Sequence, residues 1–394
     1  MPILRPIAAV IVVLLGTSAC MALEVKVAVL RVDRTLPLPI SRLDIPPDDL
    51  GFAGAKLGTM DNQTTGAFTD TTYTLETRDV PPEEAGAAMD AVLAQGVKLI
   101  VVMAEGEMLQ TLADKAGPHV LILNATAQDE ALRNQDCRAN VLHIAPSRAM
   151  LTDALVQYLV WKQWPHLFLI YGPHPEDVLL AESYRASAPK FGAQIVEERE
   201  FADTGGARST DTGLVQVQSQ IPLFTDGTAD HDVIVAADEA DVFAAYLPYH
   251  TRIARPVTGS AGLRPVTWDP SLEAWGATQF QTRFERLANR RMRPEDYQVW
   301  LALRVIGEAV TRTASADPAI LRAYALSDQF SLAAFKGQKV TFRPWNGQLR
   351  QPILLSDGHV TVSVSPQDGF LHQVSPLDTL GTDQPETTCR SFGG

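Results

Sequence analysis

Cysteine is scarce in this chain: Cys20, Cys137 and Cys389 are the three among 394 residues. That excludes a scaffold stapled by many disulfides and a four-cysteine zinc site. Histidine offers no metal motif either, because the eight are scattered and no two lie four residues apart. Neither a GxSxG nucleophile turn nor a GxxxxGK[ST] phosphate loop occurs. Positive charge is also short. Thirty-three Lys and Arg face 46 Asp and Glu, a net charge of −13, which argues against nucleic acid and anionic membranes as partners. Beyond residue 22 no apolar run approaches the roughly 20 residues of a membrane-spanning helix. The expectation is a chain that is not an enzyme and carries no cofactor.

What is present begins with the first residues. Arg5 precedes an apolar run over 7–15, and small residues follow from Gly16 to Ala22. This layout predicts a secretory signal peptide over 1–22, cleaved after Ala22. Lipid anchoring at Cys20 is the lesser alternative, because Thr17 stands where lipoprotein signals usually carry leucine. The expected location is therefore the periplasm. In an oxidising compartment Cys137 and Cys389 are expected to form one disulfide, with two unrelated buried thiols as the alternative.

The body of the chain alternates short apolar runs (25–30, 97–103, 120–123, 167–171 and 233–236) with segments of helical spacing (82–95, 107–116, 147–164, 176–191 and 239–246). Strands that are apolar throughout, separated by amphipathic helices, imply parallel sheets covered on both faces. Ser147 is a credible N-cap. Residues 278–326 read as helical, with Pro294 and Pro318 at helix starts. Strands are expected at 338–342, 352–355 and 359–364, joined by Asn346-Gly347 and Asp357-Gly358 turns. Residues 203–213 read as a loop.

Several stretches, in order, resemble one family. Residues 117–126 (GPHVLILNAT) are similar to "GIPVISPSAT", and 143–158 (HIAPSRAMLTDALVQY) to "FRTVPSDAAQGEALADYL". Residues 162–164 and 167–172 match "KGWKKVAVIYG", 300–309 "YDAVxLLAEA", and 314–321 "AGSxDPxxL". Residues 335–348 (FKGQKVTFRPWNGQ) are similar to "FxGxxGxxxFDxxGD". The chain thus resembles the type I periplasmic binding proteins of ABC importers, in the branched-chain amino acid receptor group. Residues 136–143, 275–279 and 369–373 further resemble a branch associated with pyrroloquinoline quinone (PQQ)-dependent alcohol dehydrogenases.

The resemblance implies an α/β fold of two Rossmann-like lobes joined by three hinge crossovers. The lobes are expected at 23–144 plus 263–333 and at 145–262 plus 334–394. It implies a monomer that captures a small solute and docks on an inner-membrane ABC permease; a sensor presenting its closed form to a receptor is the alternative.

Ligands of open parallel sheets bind beyond the carboxyl ends of the strands. That places Glu105, Gly106, Asn124, Ala125 and Thr126 in the first lobe's site, and Tyr171, Asp238 and Ser260 in the second's. The family's loops there hold a ligand carboxylate with serines and amides, and a tyrosine and an acidic residue clamp its ammonium. Glu105 stands among the expected serines. With Asp238 it would give a cleft of two carboxylates and few visible cations, favouring a cationic, polyhydroxylated or metal-associated ligand. Each assignment has a structural competitor: Glu105 and Asp238 as helix caps, Tyr171 as a core aromatic. Trp268 is either a cleft-stacking or a packed interdomain residue. Whether the carboxylates converge on a metal is left open at this point.

Overall fold

The computed structural model describes residues 22–34, 39–204 and 216–392. Residues 1–21 of the expected leader, Cys20 included, and most of the 203–213 loop lie outside the described residues. The chain opens with β1 (Leu23–Val32), α1 (Phe52–Gly66), β2 (Thr71–Val80), α2 (Ala85–Ala94), β3 (Leu99–Met103), α3 (Gly106–Ala116), β4 (Leu121–Asn124) and β5 (Val141–His143). It continues with α4 (Arg148–Trp161), β6 (His166–Tyr171), α5 (Pro175–Phe191), β7 (Gln194–Glu200), α6 (Val217–Phe224), β8 (Val233–Ala237), β9 (Val257–Gly259) and β10 (Arg264–Val266). Next come α7 (Ala277–Ala288), α8 (Pro294–Thr313), α9 (Pro318–Ala325), β11 (Leu332–Ala333), β12 (Lys339–Phe342), β13 (Leu349–Arg350), β14 (Ile353–Ser356) and β15 (Thr361–Ser365).

Two parallel sheets organise these elements. The first has the order β2-β1-β3-β4-β5, the second β7-β6-β8-β9. In the first lobe one sheet face packs α1, α7, α8 and α9, and the other packs α2 and α3. In the second lobe α4 and α5 cover one face, and α6 with the 242–247 segment covers the other. The fold is therefore α/β, two lobes each built on a parallel sheet covered on both faces, as the strand–helix alternation and the family resemblance together implied.

Strands β3, β4 and β8 are fully buried, which is why they read as continuous apolar runs. Edge strands β2 and β7 carry polar residues and gave no such signal. Helix α1 approaches α8 through glycines. A Cβ on Gly54 would lie 2.0 Å from the Asp296 carbonyl oxygen, and one on Gly58 2.7 Å from Leu303 Cβ. Ser147 does cap α4, its Oγ accepting from the Met150 amide at 3.3 Å, and Pro294 and Pro318 do open α8 and α9.

The links between lobes lie side by side. Gln351 Nε2 donates to the Ile144 carbonyl at 2.7 Å, and β10 runs antiparallel to β14. Within β14, Leu354 belongs to the first lobe's core and Leu355 to the second's. Ala334, Val340, Phe342 and Leu349 also pack in the first lobe's core. Its extent thus passes the expected break at 334, because Phe342 meets Phe330 (ring centroids 5.5 Å apart) and stays with α9.

Cys137 and Cys389 form a disulfide, their Cα atoms 5.7 Å apart, and the tail it anchors also packs Leu380 against Met150 and Ala154 of α4. The expected helix over 239–246 is replaced by a loop with a three-residue 3-10 turn at Ala244–Tyr246. Asp241 takes a left-handed φ of 56°, which no helix interior accommodates.

Candidate ligand cleft

The carboxyl ends of both sheets face a cavity of about 790 Å³ between the lobes. Its first-lobe wall includes Arg34, Glu105, Gly106, Thr126 and Asp129, and its second-lobe wall Arg148, Tyr184, Glu239 and Ser260. Leu151, Leu179, Leu180 and Val266 supply apolar surface.

Glu105 and Gly106 sit between β3 and α3. Glu105 stands at the N-cap position of that helix, but its side chain makes no capping hydrogen bond; its Oε1 accepts from Arg34 Nε at 2.8 Å, with both side chains about half exposed. Thr126 follows β4. Its hydroxyl donates to the Ala104 carbonyl at 3.1 Å and its amide to Asn124 Oδ1 at 3.2 Å. Asn124 and Ala125 are fully buried and shape this loop without lining the cavity. Asn124 also donates to the Ala127 carbonyl at 2.8 Å and contacts His143 Nδ1 at 3.0 Å.

In the second lobe Ser260 lines the cavity and accepts from the Asp238 amide at 2.9 Å. Asp238 itself braces the loop that follows β8. It is 5% exposed, and its carboxylate accepts from the amides of Val242, Phe243 and Ala244. Burial raises its pKa against those hydrogen bonds. Tyr171 lies outside the cavity lining, with Arg185 stacked 5.1 Å from its ring. Trp268 is packed, 1% exposed, and stacks on Tyr297 at 4.9 Å.

The expectation of few cations is corrected by the fold, which brings Arg34, Arg148 and Arg264 to the wall. Arg148 opens α4. Its Nε and Nη2 each reach Glu239 at 2.8 Å, and its Nη1 reaches Asp129 at 3.1 Å. Although burial works against its charge, the two carboxylates hold this guanidinium above the usual arginine range. The interaction spans the cleft, since Asp129 belongs to the first lobe. A second tie across it is the Ile40 amide, which donates to Asp241 Oδ2 at 2.9 Å. Tyr184 is 1% exposed, and burial with the nearby Glu239 charge raises its pKa.

Behind the wall, Asp177 is fully buried and its Oδ1 accepts the Glu239 and Ala240 amides. Burial pushes its pKa to about 6, aided by Asp238 and Glu176 and opposed by the two amides.

Spacing gave no route to Arg34, Asp129 or Tyr184, and of the acidic pair that ends β8 it favoured Asp238 over Glu239, the one that lines the cavity. Arg148 could have been suspected only as the residue after the Ser147 cap. Among the described residues no group of three or more His, Cys, Asp or Glu side chains could hold a metal ion. No helix there is long and apolar enough to cross a membrane.

Comparison with known proteins agrees with this geometry. No curated protein sequence matches significantly. Among solved structures, a branched-chain amino acid ABC transporter periplasmic ligand-binding protein from Burkholderia xenovorans is 16% identical. The match covers 94% of this chain and 100% of that one, with a TM-score of 0.72. An ABC transporter substrate-binding protein from Desulfitobacterium hafniense, in complex with leucine, is 16% identical over 85% of this chain and 98% of its own, with a TM-score of 0.66. A solute-binding protein from R. palustris in complex with benzoate is 12% identical over 93% and 99%, with a TM-score of 0.65. The periplasmic binding protein model matches residues 51–357. The chain therefore belongs to the periplasmic binding protein family, whose members bind solutes and are not enzymes.

Proposed function

We propose that the protein captures a small solute between its lobes and delivers it to an ABC permease in the inner membrane. The observation that carries this reading is the cavity of about 790 Å³ lined by both sheets' carboxyl ends, beside links that can flex as a hinge. Closure is an equilibrium, and a solute shifts it only by binding the closed form more tightly. Export through the 1–22 leader and monomeric action complete the proposal. The proposal extends to a link with PQQ-dependent alcohol oxidation, which rests on the resemblance of residues 136–143, 275–279 and 369–373 to that branch.

A thermal-shift screen of the mature protein tests the reading. The set would hold amino acids, amines, aromatic and alcohol-derived acids, polyols, quinone cofactors, calcium and lanthanides. At [L] of 100 Kd a true ligand stabilises by about 2.7 kcal/mol, and its addition should shrink the radius of gyration in small-angle scattering. Hits confined to millimolar concentrations, with no compaction, would sink the receptor role.

A further inference from the structure

We infer that the carboxyl-terminal tail, residues 376–392, is a strap fastened to both lobes that holds the cleft toward closure. The inference rests on the lobe movement proposed above and adds to it a part that lies outside the cleft.

The two ends of the tail are tied to different lobes. Its first part lies on α4 and α5 of the second lobe. There the Gly381 amide donates to Asp153 Oδ2 at 2.7 Å, and Lys190 Nζ donates to the Gly381 carbonyl at 2.9 Å. Gln157 Nε2 donates to Thr379 Oγ1 at 2.8 Å, and the buried Leu380 packs on Met150 and Ala154. The last part lies on the first lobe. Cys389 is bonded to Cys137, and the Thr387 hydroxyl donates to the Arg133 carbonyl at 3.3 Å. Phe392 packs against the first lobe's core, with the Arg322 guanidinium 4.9 Å from its ring. The turn between the two parts is itself bonded, the Asp383 carbonyl accepting from the Glu386 and Thr387 amides at 3.0 and 3.1 Å. The connection is therefore short rather than slack.

Near its middle the strap is also wedged between the lobes. Arg343 follows Phe342 of the first lobe's core and is 1% exposed; it donates to the Leu377 and Leu380 carbonyls at 3.0 and 2.5 Å. A Cβ on Gly381 would lie 2.6 Å from Met150 Cγ and 3.4 Å from Arg343 Nη1. One glycine thus touches both lobes, with no space there for a side chain.

A rotation of one lobe against the other strains both sets of contacts, and some of them must break. They are complete in an arrangement that also makes the cleft-spanning bonds, Arg148 to Asp129 and Ile40 to Asp241. The strap therefore stabilises this arrangement against an opened one, and the disulfide keeps its far end from letting go. A device that raises the closed fraction lowers the conformational cost of capturing a solute.

The test compares the ligand-free mature protein with two variants. Cys137→Ser/Cys389→Ser unfastens the strap from the first lobe. Insertion of Gly-Ser-Gly between the exposed Gln384 and Pro385 keeps the disulfide and lengthens the strap. Small-angle scattering should give both variants a larger radius of gyration than wild type. The bias removed is on the scale of a few hydrogen bonds, so the Ile40 amide should exchange with solvent about tenfold faster or more in both. Circular dichroism establishes that each variant is folded, and should the serine variant fail to fold, the insertion alone decides.

A disulfide that only restricts the unfolded chain would lower the unfolding temperature of the serine variant and leave both cleft readouts at their wild-type values. That result overturns the inference. So does an insertion variant that matches wild type in both readouts, because a lengthened strap would then hold the lobes no less than a short one. Neither outcome touches the receptor reading, which falls only if the solute screen is silent.

Discussion

Asp177 holds the cleft-facing backbone of Glu239: its Oδ1 accepts the Glu239 amide at 2.6 Å, while its Oδ2 is buried with no partner. This half-satisfied carboxylate is what presents Glu239 to Arg148, and it makes the second lobe sensitive to pH. The Asp177 pKa is raised from 3.8 to about 6 on folding, so the folded state favours the neutral acid. Its stabilising contribution is present below the unfolded value and lost as pH rises through about 6. Wild-type stability should lose up to about 3 kcal/mol from this group between about pH 4 and 6. Asp177→Asn should remove that slope. Urea unfolding of both proteins across the range measures the difference, and parallel profiles would refute the assignment.

Asp378 bridges two buried arginines in the tail's contact with the hinge. It accepts from Arg343 Nε at 2.9 Å and from Arg350 Nε at 2.7 Å, and all three residues are at least nine-tenths buried. Asp378→Ala strands both guanidinium groups and should cost about 3–5 kcal/mol of unfolding free energy. A loss below about 1 kcal/mol, the scale of an exposed pair, would contradict this arrangement.

The Cys137–Cys389 bridge closes a loop with a sequence separation of 252 residues. On the chain-entropy model, Cys137→Ser/Cys389→Ser should lose up to about 5 kcal/mol of stability. Intact-mass analysis after alkylation, with and without prior reduction, checks the bond directly. Equal label uptake in the two samples would show two free thiols.

Two glycines make a matched pair. Gly54→Ala drives a methyl group into the Asp296 carbonyl, 2.0 Å from the built Cβ, and should destabilise by about 1–3 kcal/mol. Gly86→Ala, in α2, meets nothing nearer than Lys115 Cε at 3.9 Å and should stabilise by about 0.4–1 kcal/mol. Thermal unfolding of the two variants should shift in opposite directions; a shared direction would mean that α1 and α8 relax apart.

Much of the fold was legible because buried parallel strands must be apolar along their whole length. Strands β1, β3, β4, β6 and β8 therefore announced themselves, and the loops at their carboxyl ends followed. Edge strands β2 and β7 did not, since one side of an edge faces water and tolerates Thr, Glu and Arg. Helix α1 escaped for a different reason. Its contact with α8 depends on small residues that allow close approach, and these carry little hydrophobic periodicity. Glu105, Gly106, Thr126 and Ser260 line the cavity where position placed them, because strand ends fix where loops open. Asp238 and Tyr171 fall outside the cavity lining, as position alone does not tell a loop brace or a cation–π partner from a lining residue.

The sequence by itself determined the two-sheet architecture, since strand burial and helix periodicity are local properties written into every few residues. Only the tertiary structure decided the charge of the cleft. Arg148 meets Glu239, 91 residues away, and Asp129 in the other lobe, while Arg34 reaches Glu105, 71 residues on. Pairing depends on distances of about 4 Å or less, and such distances between remote residues exist only after the sheets have packed.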